Sequence, residues 1–182
     1  MSPGGHLLTT VVACTASLLA THELPMGDSV ALAAGIAAGG FLIDVDHAID
    51  YVIFDRQRDL RPSAFLRYYL EGRVRRVVLF LHSYELFGLL GLLAWRLDVP
   101  LLWGYLMGAL VHLALDIVFN GELTPRSISA FYSLAYRGAH GFDAETLIGP
   151  RETFSTSGSF WAAFFAGPVR APSPGHATPT RP

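Results

Sequence analysis

Four apolar segments, His6–Thr21, Ser29–Ile43, Val77–Trp95 and Val99–Phe119, are broken only by isolated polar residues. The last two approach or reach the ~20 residues with which a helix crosses a bilayer core. The first two are shorter, about 16 and 15 residues, and rich in Ala, Gly and Thr rather than Leu. Buried helices of a soluble bundle are the alternative reading for them. The pattern predicts an all-α fold, a helical membrane bundle with about four transmembrane or membrane-embedded helices. Gly35–Gly40 reads as a close-packing helix face, because no P-loop Lys-Ser/Thr follows it.

Composition agrees with a membrane setting. Of 182 residues, 52% are hydrophobic and only 15% charged, too little polar cover for a small soluble domain. Every basic residue is arginine. Seven of them, Arg56, Arg58, Arg61, Arg67, Arg73, Arg75 and Arg76, lie between the second and third segments, and five more follow the fourth. The positive-inside rule then predicts a multi-pass protein of a bacterial-type inner membrane with both termini cytoplasmic. Tyr51, Phe54, Phe65, Tyr68 and Tyr69 interleave with these arginines, as in a stretch at headgroup level in contact with membrane lipids. Beside membrane segments this outweighs an Arg-rich nucleic-acid surface, and no nucleic acid is expected as a partner. The single Cys14 excludes an internal disulfide and reads as a small packing residue.

The ionisable residues add chemistry. His6 opens the first segment, and Asp44, Asp46 and His47 close the second. His82 and Glu85 sit in the third, His112 and Asp116 in the fourth. Charged groups inside a membrane span are costly unless paired or bound to an ion. Four antiparallel helices bring the start of the first and third and the end of the second and fourth to one face. His82 lies about 9 Å along a helix from Arg76, and His112 roughly 10 Å from the end of its segment. All the candidates therefore fall in one layer. His112 and Asp116 share a face at i,i+4, as do His82 and Glu85 at i,i+3. Asn120 continues that stripe, and Asp50 is a reserve candidate. Asp44 and Asp46 point about 200° apart in a regular helix, so both ligate only where the helix ends; otherwise one orients a histidine. His22, His140 and His176 fall outside the layer.

Imidazole plus carboxylate without thiolate suits a divalent metal, Zn first with Mn or Fe as alternatives. The donor set, His6, Asp44, Asp46, His47, His82, Glu85, His112 and Asp116, is large enough for one or two ions. Two ions would bind a phosphoryl group and activate water, with Asp46 or Glu85 as catalytic base. The bland reading of each residue is a hydrogen-bonded packing group or a buried ion pair.

Gly5-His6, Asp44-x-Asp46-His47, His82-Ser83 and His112-x-x-x-Asp116, in this order, resemble the family of inner-membrane-associated metal-dependent hydrolases. That family is distantly similar to zinc-dependent phospholipase C and single-strand nuclease proteins. The resemblance covers about residues 4–125, including Thr124-Pro125, and implies that these His and Asp residues form a metal site. Val77 and Val78 stand where typical members carry a His-Arg pair.

The expectation is a membrane-bound metal-dependent hydrolase of an ester or phosphoester, lipids included, at the cytoplasmic face, with an anionic or phosphate-bearing substrate. A non-enzymatic membrane protein with a structural metal is the first rival. An ion relay or transporter is the second, disfavoured because the polar groups form a layer and not a path. Residues 1–125 are expected to hold the metal-site helices and 126–167 a helical or interfacial extension that lids the site or docks a partner. Residues 168–182 form a Pro-rich tail with the composition of disorder.

Overall fold

The computed structural model describes residues 1–120, 127–149, 154–155, 159–167 and 169–170. Thr124-Pro125, the side chain of Asn120 and residues 171–182 lie outside them. Among the described residues the fold is all-α apart from one two-residue antiparallel strand pair. Two long helices, α1 (Pro3–Ala20) and α6 (Pro100–Asn120), are long and apolar enough to cross a membrane, and α2 (Met26–Gly40) with the arm Leu42–Phe54 forms a third such stretch bent by 43°. The third apolar segment is not one helix. Its helix α5 begins at Tyr84 and runs 14 residues to Leu97, too short to count as a span.

Glycine brings the main pair together. A Cβ on Gly35 or Gly39 would strike the carbonyl oxygens of Leu101 and Tyr105, and one on Gly104 or Gly108 those of Leu32 and Ile36. Contacts advance in the same direction on both helices, so α2 and α6 run parallel with their backbones touching. Small residues that admit such approach are how helices pack where hydrophobicity supplies no driving force between them. α1 runs antiparallel to α2, with Cys14 Sγ 3.4 Å from the carbonyl of Ala33 and Thr10 against Gly40. The outer faces, including Leu8, Val12 and Leu19 of α1 and Met107, Leu110 and Val118 of α6, are exposed.

The arm consists of a 3-10 turn (Leu42–Asp44), α3 (Val45–Ile49) and a π turn (Asp50–Phe54) closed by the bond from Asp55 N–H to the Asp50 carbonyl. It exposes Leu42, Val45, Ile49, Val52 and Ile53 and buries Asp46, Asp50 and Asp55. In an α-helix a residue five positions on points about 140° away. The wider π turn returns Asp55 toward the face of Asp46 and Asp50.

Those three carboxylates meet the extended segment 75–82. Asp55 accepts from the N–H groups of Arg75 and Arg76, Asp50 from Val78 and Leu79, and Asp46 from Leu81 and His82. Val77 N–H goes to the Phe142 carbonyl. Each acid takes two backbone donors, so the segment has its hydrogen bonds without being helical. Ser83 ends it by capping α5, its Oγ accepting from Leu86 N–H. Hydropathy registers the apolar side chains here but not this source of partners.

The short helices α4 (Pro62–Leu70), α7 (Ile128–Phe131), α8 (Leu134–Ala139), α9 (Ala144–Ile148) and α10 (Phe160–Ala166) complete the fold. The stretch 127–149 scaffolds segment 75–84: Ala144 N–H bonds the Arg75 carbonyl and Tyr84 N–H the Tyr132 carbonyl. α10 lies against α1 and α4, with Phe165 over Gly4. Val169–Arg170 pair with Phe154–Ser155. Tyr51, Phe65, Tyr68 and Tyr69 pack against one another with their rings edge-on or tilted. Tyr51 and Tyr68 are buried, whereas Phe54 is exposed. The seven arginines of this region are exposed.

Gly39→Ala is expected to lower the thermal midpoint in detergent by the equivalent of about 1–3 kcal/mol, because overpacking forces the two backbones apart. Gly88→Ala on α5, where a Cβ meets nothing within 4 Å, is expected to leave the midpoint unchanged or raise it.

Candidate metal centre

The fold converges on one cluster. His6 comes from α1, Asp44, Asp46 and His47 from the arm, His82 from the carboxylate-held segment, and His112 and Asp116 from α6. Three overlapping trios have one donor atom each within 4.8 Å of one another: His6, His112 and Asp116; Asp44, His82 and His112; Asp46, His47 and His82.

Hydrogen bonding sets the ring tautomers. His112 Nδ1 lies 2.9 Å from the Gly40 carbonyl, which only accepts, so Nδ1 carries the hydrogen. His82 Nδ1 lies 2.9 Å from Asp46 Oδ2 and donates to that carboxylate. Both Nε2 lone pairs are thereby directed inward, where they face each other at 3.1 Å. Asp44 Oδ1 stands 3.4 Å from each. Three acceptors without a hydrogen among them repel unless a proton or a cation lies between. Around a tetrahedral ion with bonds of about 2.0–2.1 Å, ligand atoms sit about 3.3–3.4 Å apart, the spacing of this triangle. The donor chemistry and spacing fit a divalent metal. Without one, burial pushes the His82 pKa down, but hydrogen bonds with Asp44 and Asp46 outweigh it and hold the value up at about 9. Metal uptake then displaces a proton.

A second subsite adjoins the first. His6 Nε2 is 3.0 Å from Asp116 Oδ1, His112 Nε2 is 3.4 Å from Asp116 Oδ2, and the His6 and His112 rings stack at 3.9 Å. His6 Nδ1 and His47 Nδ1 are buried without a hydrogen-bond partner. Most of the cluster is sealed, but the side chains of Asp44 and His47 are 30% and 29% exposed, so one side of the triangle opens outward. Tyr69 borders that opening, edge-on to the His47 ring with its hydroxyl on the His47 carbonyl.

Two residues expected to act as bases are engaged otherwise. Asp46 is 1% exposed, and its oxygens are taken up by His82 Nδ1 and by two backbone N–H groups, so it orients His82. Glu85 belongs to none of the three trios. It sits in the first turn of α5, where its carboxylate accepts from Ser133 Oγ and from the N–H groups of Leu134 and Ala135 at the start of α8. The spacing of His82 and Glu85 assumed one helix, whereas Ser83 starts α5 between them. Asp50, the reserve candidate, holds backbone as described. His22 is exposed and His140 half-buried, both away from the cluster.

Arg137 escaped the sequence reading. It is 0% exposed, and its guanidinium donates to the carbonyls of Leu79, His82 and Phe131. Its one signal in the sequence is a lone cation in an aromatic stretch. Leu79, the residue it holds, has φ +44°, a left-handed conformation that costs a bulky residue about 1–3 kcal/mol and persists only when its surroundings impose it.

Glu85→Gln is expected to keep the metal content of wild type while lowering its thermal midpoint. Partial burial pushes the Glu85 pKa up, but the Ser133, Leu134 and Ala135 hydrogen bonds outweigh it and hold the value near 2, below the ordinary 4.5. A depressed carboxylate stabilises fully above its unfolded pKa and stops doing so as pH falls through the folded one. The gap between wild type and variant should therefore be full above about pH 5 and close toward pH 2, read by thermal melts across that range.

No protein-family model, curated protein or solved structure matches the chain, so the case for function rests on the site itself.

Proposed function

We propose that this chain is a membrane-embedded metal-dependent hydrolase of an ester or phosphoester. The observation that carries the proposal is the triangle of His82 Nε2, His112 Nε2 and Asp44 Oδ1, spaced for an ion and open on the Asp44–His47 side. A divalent metal bound there, zinc best matching these donors, would polarise the substrate oxygen and lower the pKa of water. His82 and His112, each fixed by a partner on Nδ1, hold the ion's position. Asp44 and His47 reach the open side and orient water and the scissile group there. His6 and Asp116 extend the donor set alongside, enough for a second ion. The resemblance of the ordered His and Asp motifs to those of inner-membrane metal-dependent hydrolases points to the same chemistry.

The substrate in this reading is anionic and membrane-accessible. The arm exposes an apolar stripe from Leu42 to Ile53, and the exposed Arg56, Arg58 and Arg61 follow it directly. That sequence of lipid-facing and cationic surface suits a phosphate-bearing lipid-like molecule at a headgroup layer, on the cytoplasmic side by the arginine bias. A structural metal is the second reading, favoured by donors drawn from α1, the arm, segment 75–82 and α6.

Detergent-purified wild type is expected to hold about one or two equivalents of zinc, manganese or iron by elemental analysis, and His112→Ala to lose most of it. His82→Ala should abolish hydrolysis of chromogenic phosphoesters, and Asp46→Asn should reduce it about 10–100-fold through misorientation of His82. Chelation should stop turnover with the thermal midpoint of the bundle nearly unchanged; unfolding on chelation would favour the structural metal. Metal-replete wild type without turnover on any ester or phosphoester would sink the hydrolase reading.

A further inference from the structure

We propose that Arg137 is a positioning residue of the metal centre, fixing the backbone turn that aims His82 at Asp44 and His112; the proposal rests on the metal reading above. The turn, residues 79–82, is gripped on two sides. Asp50 takes the N–H of Leu79, and Asp46 takes the N–H groups of Leu81 and His82. Arg137 takes the other face, Nη2 lying 2.8 Å from the Leu79 carbonyl and Nη1 3.2 Å from the His82 carbonyl. Nη1 also lies 2.6 Å from the Phe131 carbonyl, tying the turn to the end of α7.

The side chain fits positioning better than ion pairing. Among the described residues Arg137 forms no salt bridge; its partners are carbonyl oxygens, and the guanidinium lies over the Phe131 ring at 5.6 Å. A fully buried cation kept for carbonyls alone needs a reason beyond charge neutralisation. The planar fork supplies one, because it reaches several oxygens at fixed angles, as an ammonium does not. Burial disfavours the charge on Arg137, and the carboxylates of Asp46, Glu85 and Asp50 offset part of that cost. Leu79, held left-handed between Asp50 and Arg137, is where release of either hand would let the chain relax. Relaxation there rotates His82 three residues on, and with it one corner of the acceptor triangle.

The test compares full-length wild type, Arg137→Lys and Arg137→Met in detergent. The readouts are zinc affinity by chelator competition, the visible spectrum of the cobalt-loaded protein, and thermal midpoint. Positioning predicts a zinc affinity about 10–100-fold weaker in both variants and a shifted cobalt spectrum, with partial recovery of affinity when guanidinium ion is added to Arg137→Met. The Lys variant keeps the buried charge, so it decides the matter where the Met variant fails to fold. Zinc affinity and cobalt spectrum equal to wild type in a folded variant, whatever its midpoint, would overturn the positioning role and leave the metal centre standing. Wild type that takes up no metal after reconstitution would overturn both.

Discussion

The structure depends on satisfying the backbone of one extended segment away from water. An unpaired buried peptide group costs free energy comparable to a lost hydrogen bond or more, and residues 75–82 have only the isolated bridge between Arg76 and Asp143 by way of sheet pairing. Asp46, Asp50 and Asp55 solve this together, each accepting from two consecutive or adjoining N–H groups. The arm must then present three acids on one face, and the π turn at Asp50–Phe54 allows it. His82, a member of the His/Asp cluster, sits at one end of the segment and an exposed arginine pair at the other. The same hydrogen bonds therefore set the chemistry and the surface charge.

Buried acid in such quantity needs positive charge, and the arrangement provides three forms of it. Peptide N–H dipoles meet Asp50 and Asp55, and imidazoles meet Asp44, Asp46 and Asp116. Arg137 stands behind the turn. The Nε2 atoms of His82 and His112 are turned toward one another at 3.1 Å, so a proton or a cation between them relieves a repulsion that poor screening in the interior makes larger than in water.

How far the sequence could be read follows from the range of each interaction. His6, Asp44, His47, His82, His112 and Asp116 were legible as one layer because helix direction and 1.5 Å per residue are regular. Glu85 was misplaced by one local signal. Ser83 caps a helix there, while the apolar pattern runs through it unbroken, so hydropathy drew one span over a non-helical segment and a short helix. The aromatic residues near the arginines were legible as a group, but composition does not show that Tyr51 and Tyr68 turn inward and pack edge-on against Phe65 and Tyr69. Arg137 was illegible because its partners are backbone carbonyls 6, 55 and 58 positions away, which no side-chain pattern records.

The glycine seam between α2 and α6 has a consequence for how the surrounding membrane acts on the site. His112 finds the Gly40 carbonyl only because the two backbones touch along Gly35, Gly39, Gly104 and Gly108. A thinner or thicker bilayer tilts its helices to match, and two helices interlocked at four points tilt as a single plank. The donor triangle would then travel with the plank, and a change of bilayer thickness would alter the angle at which the Asp44–His47 opening is presented without changing the distances inside it.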